Sequence, residues 1–195
     1  MSDVLVLEQA RQLIVDRGWG QGLEVCNDGR VCAIGAVLIA LGGEVKEFLD
    51  ENGKVYRYGD ANPHEFDRTR FYVAAPGQGD MPPWGTQDEV KFNNAGFRTV
   101  LEGSPRQRYR DVTSAWRNAS GFNGLEKILD RAVEDVAADL VGLDEEDEEF
   151  GDRLDVTAGV VDFNDSSHGS QARVLAVFDR AIELATIASD EKASA

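Results

Sequence analysis

Residues 33–41 are apolar on every side, and this run constrains the fold more than any other feature of the chain. A helix without a polar face has to be covered by other parts of the protein, because no side of it can turn to water. The whole apolar segment, residues 31–41, is far shorter than the ~20 residues that a membrane-spanning helix needs. We therefore expect a buried helix over residues 32–41 that ends at Gly42 and Gly43.

Amphipathic segments elsewhere predict the helices that cover this buried one. Apolar side chains recur at helical spacing over residues 3–17, 123–140 and 170–188, and Ser170 has the residue type of an N-cap. Two short β-like stretches flank an Asn-Asp-Gly turn and predict a hairpin over residues 23–32. Together these elements predict an α-dominated α+β fold with about four core helices and one β-hairpin.

The middle of the chain differs in composition from both ends. Residues 44–110 hold all five prolines and ten of the sixteen aromatic residues, with acidic and basic side chains almost balanced. Alternating patterns predict short strands at 55–58 and 70–74, and a Pro- and Gly-rich stretch predicts an irregular loop at 76–85. The predicted organisation is one domain, 1–195, with a helical core at 1–43 and 111–189, an inserted elaboration at 44–110 and a tail at 190–195.

The formal charge of −16 is concentrated in the C-terminal part of the chain. Residues 111–195 contain 20 of the 36 acidic side chains and 7 of the 20 basic ones, and the densest acidic run is 144–149. A surface that binds nucleic-acid phosphates needs clustered Lys and Arg, so we do not expect direct nucleic-acid binding. The acidic run has two interpretations: a solvated segment that aids solubility, or a face that docks a basic partner protein.

Candidate binding residues come from segments of unusual composition. The proline-rich loop contributes a tryptophan, residues 106–110 form a basic cluster around a tyrosine, and the acidic run contributes carboxylates. Such a basic cluster contacts an acidic partner or pairs with the protein's own acidic surface. The candidates are Trp84, Arg106, Arg108, Arg110, Glu145, Glu146, Glu148 and Glu149.

The motifs predict neither a cofactor nor a metal site. Two cysteines exclude a four-cysteine zinc site, and neither favoured hairpin register bridges Cys26 and Cys32 in a disulfide. Residues 162–168 begin like a calcium loop, but Ser and Arg occupy the positions where that loop requires Gly and Glu. The glycine-rich stretch 18–22 lacks the Lys-Ser/Thr pair of a phosphate-binding loop.

One enzymatic hypothesis starts from Cys32, at the first turn of the predicted buried helix. The helix dipole stabilises a thiolate there, and a cysteine hydrolase would add His168 as the base and Asp165 or Asn164 to orient the imidazole. The competing interpretation, which the apolar surroundings favour, is that Cys32 is a small buried residue without chemistry. We therefore expect no enzymatic activity and keep the hydrolase as the alternative.

The two C-terminal helical segments share a local pattern. Leu-Asp-Arg-Ala-Val-Glu at 129–134 matches Phe-Asp-Arg-Ala-Ile-Glu at 178–183. Each is preceded by an aromatic residue and an Asn, at 116–118 and at 163–164. Either the segments are copies of one unit, or two amphipathic helices resemble each other by chance.

Four short motifs, taken together, resemble an uncharacterised family. They are Gly-Trp-Gly-Gln-Gly at 18–22, Cys-Ala-Ile-Gly-Ala at 32–36, Phe-Asn-Asp at 163–165 and Phe-Asp-Arg-Ala at 178–181. The set resembles a domain-of-unknown-function family of small proteins from actinobacteria and their phages. That family carries Trp in its Trp-Asn-Asp motif, and the counterpart here is either Phe163 or the Trp of the 116–118 copy. The motif residues are Trp19, Gln21, Cys32, Gly35, Asn164 and Asp165.

The resemblance implies an origin and a compartment but no activity. Because the N-terminus also lacks the basic segment of a secretion signal, we expect a cytoplasmic protein that contacts no membrane. We expect a non-enzymatic accessory protein, encoded by a phage and acting in the host cytoplasm, that binds a host or viral macromolecule, most directly a protein. Besides the hydrolase, a virion structural or assembly protein is the second alternative, and the oligomeric state is left open.

Overall fold

The computed structural model describes residues 1–47, 71–81, 90–92, 98–100, 102–141, 159–166 and 169–194. Helices dominate these ranges and the strands among them are short, which confirms the predicted α-dominated α+β fold. The helices are α1 (Asp3–Arg17), α2 (Ala33–Ala40), α3 (Pro105–Ala119), α4 (Phe122–Val141), α5 (Val160–Asp165) and α6 (Gln171–Ser194).

Two antiparallel pairs of strands lie between α2 and α3 in the chain. β1 (Glu44–Glu47) pairs with β2 (Phe71–Ala74), and β3 (Val90–Phe92) pairs with β4 (Arg98–Val100). β2 agrees with the strand predicted at 70–74. The strand predicted at 55–58 and residues 82–85 of the loop predicted at 76–85 lie outside the described residues.

α2 is the buried centre of the helical part, as its uniformly apolar sequence predicts. Ala33, Ala36, Val37 and Leu38 are all 0 % exposed. Burial of one large aliphatic side chain contributes about 1.5–3 kcal/mol, so the cluster around α2 is the main stabilising feature. Among the described helices, none combines the length and the apolar character needed to cross a lipid bilayer.

The longer helices α1, α4 and α6 each turn one apolar face inward, which is why their stripes are legible in the sequence. Ile14 of α1, Leu129 of α4 and Phe178 of α6 are fully buried in a single cluster. At the outer edge, Arg11 Nε of α1 lies 2.6 Å from Asp179 Oδ1 of α6. An exposed pair of this kind contributes about 0–1 kcal/mol, so it orients helices that the apolar cluster already holds.

The chain before α2 fits against the helix because residue 35 is glycine. Cys32 is the N-cap of α2, and its Sγ accepts a hydrogen bond from the Gly35 N–H at 3.3 Å. A Cβ on Gly35 would lie 1.9 Å from the carbonyl oxygen of Glu24. That same oxygen accepts a hydrogen bond from the Cys32 N–H at 3.3 Å. The backbone around Glu24 therefore crosses α2 in direct contact with it.

The hairpin predicted over 23–32 is present as a tight turn with isolated bridges in place of regular strands. The Cys26 N–H donates to the Arg30 carbonyl oxygen at 2.8 Å across the loop 27–29, where Gly29 has a φ of 89°. Val31 bridges Val25 on one side and Trp19 on the other. Both cysteines are free, in agreement with the rejected disulfide.

The sequence patterns miss α3 and α5 and misplace two boundaries. α3 has few apolar residues and therefore no full stripe, although Ser104 caps it and Pro105 occupies its first turn. The boundary predicted between residues 110 and 111 falls inside this helix. At the other end, α6 continues to Ser194, so residues 190–194 are helical and not a tail. Polar residues with good helix propensity extend α6 without any burial.

We predict that Gly35→Ala destabilises the protein by about 2 kcal/mol or more, because the new methyl group overlaps a backbone carbonyl. The matched control is Gly124→Ala in α4, where an added Cβ meets nothing within 4 Å. This control should stabilise the fold by about 0.5–1 kcal/mol, since alanine is the better helix former. Urea unfolding of both variants measures the difference. Equal midpoints for Gly35→Ala and the wild type would show that the Glu24–α2 contact is not as close as described.

Candidate functional site

Motif residues from both ends of the chain meet around the side chain of Asn164, which is 2 % exposed. Its Oδ1 accepts hydrogen bonds from Trp19 Nε1 at 2.9 Å and from the Ala33 N–H at 3.1 Å. Its Nδ2 donates to the Gly20 carbonyl oxygen at 3.2 Å and to Asp165 Oδ1 at 2.6 Å. Every donor and acceptor of the buried carboxamide is thus engaged, as burial of a polar group requires. We call these five residues the Asn164 clamp.

Gln21 and Gly22 reinforce the clamp from its outer side. Gln21 Nε2 donates to the carbonyl oxygens of Asn164 and Ser166, each at 3.0 Å. The Gly22 N–H donates to Asp165 Oδ1 at 2.9 Å. The last carbonyl groups of a helix have no partner inside it, so these bonds complete the end of α5. The clamp closes the C-terminus of α5 against the 18–22 turn and the N-terminus of α2.

Glycines give the 18–22 turn its path beside the hairpin. Gly18 has a φ of 85°, a conformation that other residues rarely adopt. A Cβ on Gly20 would lie 2.4 Å from Cys26 Sγ, so only a residue without a side chain fits there. The Gly20 N–H donates to the Val31 carbonyl oxygen at 2.9 Å, which fixes the turn against the strand-like residues before α2. Trp19 is thereby aimed at Asn164.

Cys32 lies next to the clamp, but its surroundings are those of a helix cap and not of a nucleophile. It is 8 % exposed, and burial raises the pKa of its thiol to about 12. Asp165, predicted to orient an imidazole, accepts hydrogen bonds from Gly22 and Asn164 instead. His168 and His64 lie outside the described residues. The arrangement of His168 relative to Cys32 and Asp165 therefore lies outside the described residues.

The remaining predicted binding residues are divided between α3 and segments outside the described ranges. Arg108 and Arg110 are exposed on α3, and Arg108 Nη1 donates to the Gly103 carbonyl oxygen at 2.6 Å. Arg106 belongs to the same helix. The candidates outside the described residues are Trp84, Glu145, Glu146, Glu148 and Glu149. Within the described ranges, no three His, Cys, Asp or Glu side chains come together as a metal site would require.

A cleft of about 310 Å³ lies between β2 and α3, and none of the sequence motifs predicts it. Its apolar wall contains Tyr72 and Val73 of β2, Met81, and Tyr109 of α3. The two tyrosine rings meet edge to face, with centroids 5.4 Å apart and planes at 79°. Gln78 holds the two sides together: its Nε2 donates to the Tyr109 carbonyl oxygen at 2.9 Å.

Glu24 forms the polar edge of the cleft and connects it to the turn before α2. Its carboxylate accepts hydrogen bonds from the Val73 N–H at 3.2 Å and from Arg117 Nη2 of α3. The guanidinium and the carboxylate are each about 30 % exposed, so this ion pair is partly shielded from water. Because the Glu24 backbone contacts Gly35 of α2, one residue fixes the positions of β2 and α3 relative to the buried helix.

Two polar atoms of the cleft residues lack a hydrogen-bond partner. They are the hydroxyl of Tyr109 and Nε of Arg117, and both are shielded from solvent. Burial raises the pKa of Tyr109 far above its ordinary range, so the hydroxyl keeps its proton. A buried donor without an acceptor costs about 1–3 kcal/mol, and such atoms concentrate where a ligand or an ordered water completes the structure.

The cleft residues on α3 leave a weak trace in the sequence. Tyr109, Thr113 and Arg117 are spaced by four residues and share one face of the helix. The Ser104-Pro105 pair marks the start of that helix. The spacing alone does not predict a helix, because a face with one aromatic and two polar residues is not an apolar stripe.

The structure also distinguishes the two copies of the possible repeat. Asn164 is buried in the clamp, whereas Asn118 is exposed on α3 and accepts a hydrogen bond from Asn123 Nδ2 at 2.8 Å. The two aspartates of the matching segments differ as well: Asp130 accepts from the Val160 N–H at 2.8 Å, and Asp179 pairs with an arginine of α1. The two segments thus have different roles in the fold.

The clamp and the cleft both lie within the region that a family comparison matches. A model of a family of unknown function, DUF6197, matches residues 2–184. The chain belongs to DUF6197. No curated protein and no solved structure gives a significant match. Membership in DUF6197 agrees with the resemblance to an uncharacterised family, and it brings no activity with it.

Asn164→Ala should destabilise this DUF6197 protein by about 2–4 kcal/mol, because buried donors on Trp19 and Ala33 lose their acceptor. Asn118→Ala is the matched control, and its free energy of unfolding should stay within ~0.5 kcal/mol of the wild type. Chemical unfolding followed by tryptophan fluorescence measures both. If the two alanine variants lose equal amounts of stability, the clamp does not hold the ends of the chain together.

Cys32 should react slowly with iodoacetamide in the folded protein. A pKa of about 12 leaves about one thiol in 10⁵ ionised at pH 7, and the sulfur is almost inaccessible. Mass spectrometry of labelled peptides, with Cys26 as the internal comparison and the urea-unfolded chain as the full-reaction control, measures the rate. Labelling of Cys32 at neutral pH faster than in the unfolded chain would revive the hydrolase alternative.

Proposed function

We propose that this DUF6197 member is a non-enzymatic accessory protein that acts by binding another macromolecule, a protein in the first instance. The proposal rests on the observation that the two motif residues that could act as catalytic groups form hydrogen bonds within the fold. Cys32 caps α2 as a protonated thiol, and Asp165 accepts hydrogen bonds from the 18–22 turn. A cysteine hydrolase needs these two groups free to act on a substrate.

The partner-binding surface is proposed to lie on α3, because this helix carries exposed arginines. The chain has a formal charge of −16, yet Arg108 and Arg110 stand on one exposed helix beside the cleft. Complementary charge steers association and suppresses wrong partners, so an acidic region of a partner protein is the natural counterpart of this surface. The acidic run at 144–149 is proposed as a second contact, for a basic region of a partner. We also propose the phage origin and the host cytoplasm as the setting.

Affinity capture from an actinobacterial lysate tests the proposal with two matched charge changes. The test variant is Arg108→Glu with Arg110→Glu on α3, and the control is Lys127→Glu with Arg131→Glu on the exposed side of α4. A specific partner should be captured by the wild type and the control and lost from the α3 variant. Raising the salt concentration should weaken capture, because the contact is electrostatic.

Two outcomes would contradict the proposed surface. Retention of the partner by the α3 variant would place the contact elsewhere, and a third variant with 144–149 neutralised shows whether the acidic run is responsible. Absence of any partner, together with a stable symmetric oligomer in sizing chromatography, would favour the virion-assembly alternative.

A further inference from the structure

The size of the cleft between β2 and α3 suits a small molecule. Its volume of about 310 Å³ is at the lower end of the ~300–1,000 Å³ that ligand pockets span. The cleft is partly open to solvent, and Ser114 of α3 is an exposed residue at its lining. A ligand of this size can enter without separation of the strand from the helix, which Gln78 and Glu24 hold together.

The wall of the cleft favours an aromatic body. Tyr72 and Tyr109 present two rings at a fixed edge-to-face angle, and Val73 and Met81 complete the apolar side. Aromatic rings pack favourably against other ring edges and faces, and a thioether contacts a ring edge well. A flat apolar group therefore finds matching surfaces on both β2 and α3.

The polar edge of the cleft favours a negative charge on that ligand. The charged side chains of the lining are Glu24, Arg110 and Arg117, a formal charge of +1 in a chain of −16. The one carboxylate among them already accepts hydrogen bonds from Val73 and Arg117. A cation would lie next to the guanidinium of Arg117, whereas a carboxylate would accept hydrogen bonds from it.

Two hydrogen-bond donors of the cleft residues lack an acceptor. The Tyr109 hydroxyl and Arg117 Nε belong to side chains that line the cleft, and neither atom has a hydrogen-bond partner or contact with solvent. A small rotation of either side chain toward the cleft would offer its N–H or O–H to a ligand oxygen. A bound acceptor would thus satisfy groups that the fold itself leaves without one.

We propose that the cleft between β2 and α3 binds a small aromatic molecule that carries a carboxylate, with its ring packed against the Tyr72–Tyr109 pair and the carboxylate toward Arg117. The site shares Arg110 with the partner-binding surface proposed above, but its ligand contacts lie inside the cleft, whereas Arg108 lies outside it. Neither proposal requires the other.

Three probes with the same ring test the proposal: 2-naphthylacetate, its neutral amide, and the cationic 2-(2-naphthyl)ethylamine. Titration calorimetry of the full chain should show binding of the carboxylate at least about tenfold tighter than the amide, and no binding of the amine. Tyr109→Phe should weaken carboxylate binding about fivefold, because it removes one donor and leaves the ring in place. The amide or the amine binding as tightly as the carboxylate would overturn the proposal, and so would the failure of all three probes to bind.

A matched pair of tryptophan substitutions locates the binding. Ser114→Trp places an indole in the cleft and should abolish carboxylate binding. Ala115→Trp adds the same indole at the neighbouring exposed residue, which does not line the cleft, and should bind as the wild type does. Binding that survives Ser114→Trp would assign the ligand to another place and overturn the proposal. The Arg108→Glu variant alone separates the two proposals, since Arg108 does not line the cleft and loss of a protein partner there should leave carboxylate binding unchanged.

Discussion

The buried side-chain amide of Asn164 holds α2, α5 and the 18–22 turn together. Asn164 is 2 % exposed, and a polar side chain so deeply buried is tolerated only when its donors and acceptors are all engaged. Its partners come from the indole of Trp19, the backbone of Gly20, the first N–H of α2 and the neighbouring Asp165. Apolar contacts between helices tolerate sliding, whereas these hydrogen bonds specify one relative position for α2, α5 and the 18–22 turn.

Contacts through α2 and Glu24 connect the clamp to the cleft. The clamp holds the first residue of α2, and Gly35 two residues later lies against the Glu24 backbone. The carboxylate of Glu24 then binds β2 at Val73 and α3 at Arg117. The residues with the most distinctive sequence pattern thus have a structural role, and the surface suited to ligands lies at the far end of this chain of contacts.

The helices that bury a full apolar face could be predicted from the sequence, and the ones that do not could not. α1, α4 and the body of α6 follow their stripes because one side of each enters the common core, and α2 follows its uniformly apolar run because it lies at the centre of that core. α3 contributes little more than Trp116 to that core, and α5 spans six residues, too few for a periodic signal. The end of α6 is set by helix propensity without burial, which a stripe cannot show.

The sequence predicts the residues of the site but not the contacts between them. The patterns singled out Trp19, Gln21, Cys32, Gly35, Asn164 and Asp165 as motif residues, and the structure brings them together. That these residues form hydrogen bonds to one another, rather than to a substrate, depends on a contact between residues 145 positions apart in the chain. The cleft could not be predicted, because Glu24, Tyr72 and Arg117 come from three segments that share no sequence pattern.

A double-mutant cycle between Trp19→Phe and Asn164→Ala measures directly whether the clamp joins the two ends of the chain. Trp19→Phe keeps an aromatic ring and removes the Nε1–H that Asn164 accepts. We predict a coupling free energy of about 1 kcal/mol or more between the two substitutions, measured by urea unfolding of the four proteins. Effects that add to within ~0.3 kcal/mol would contradict it, because independent residues show no such coupling.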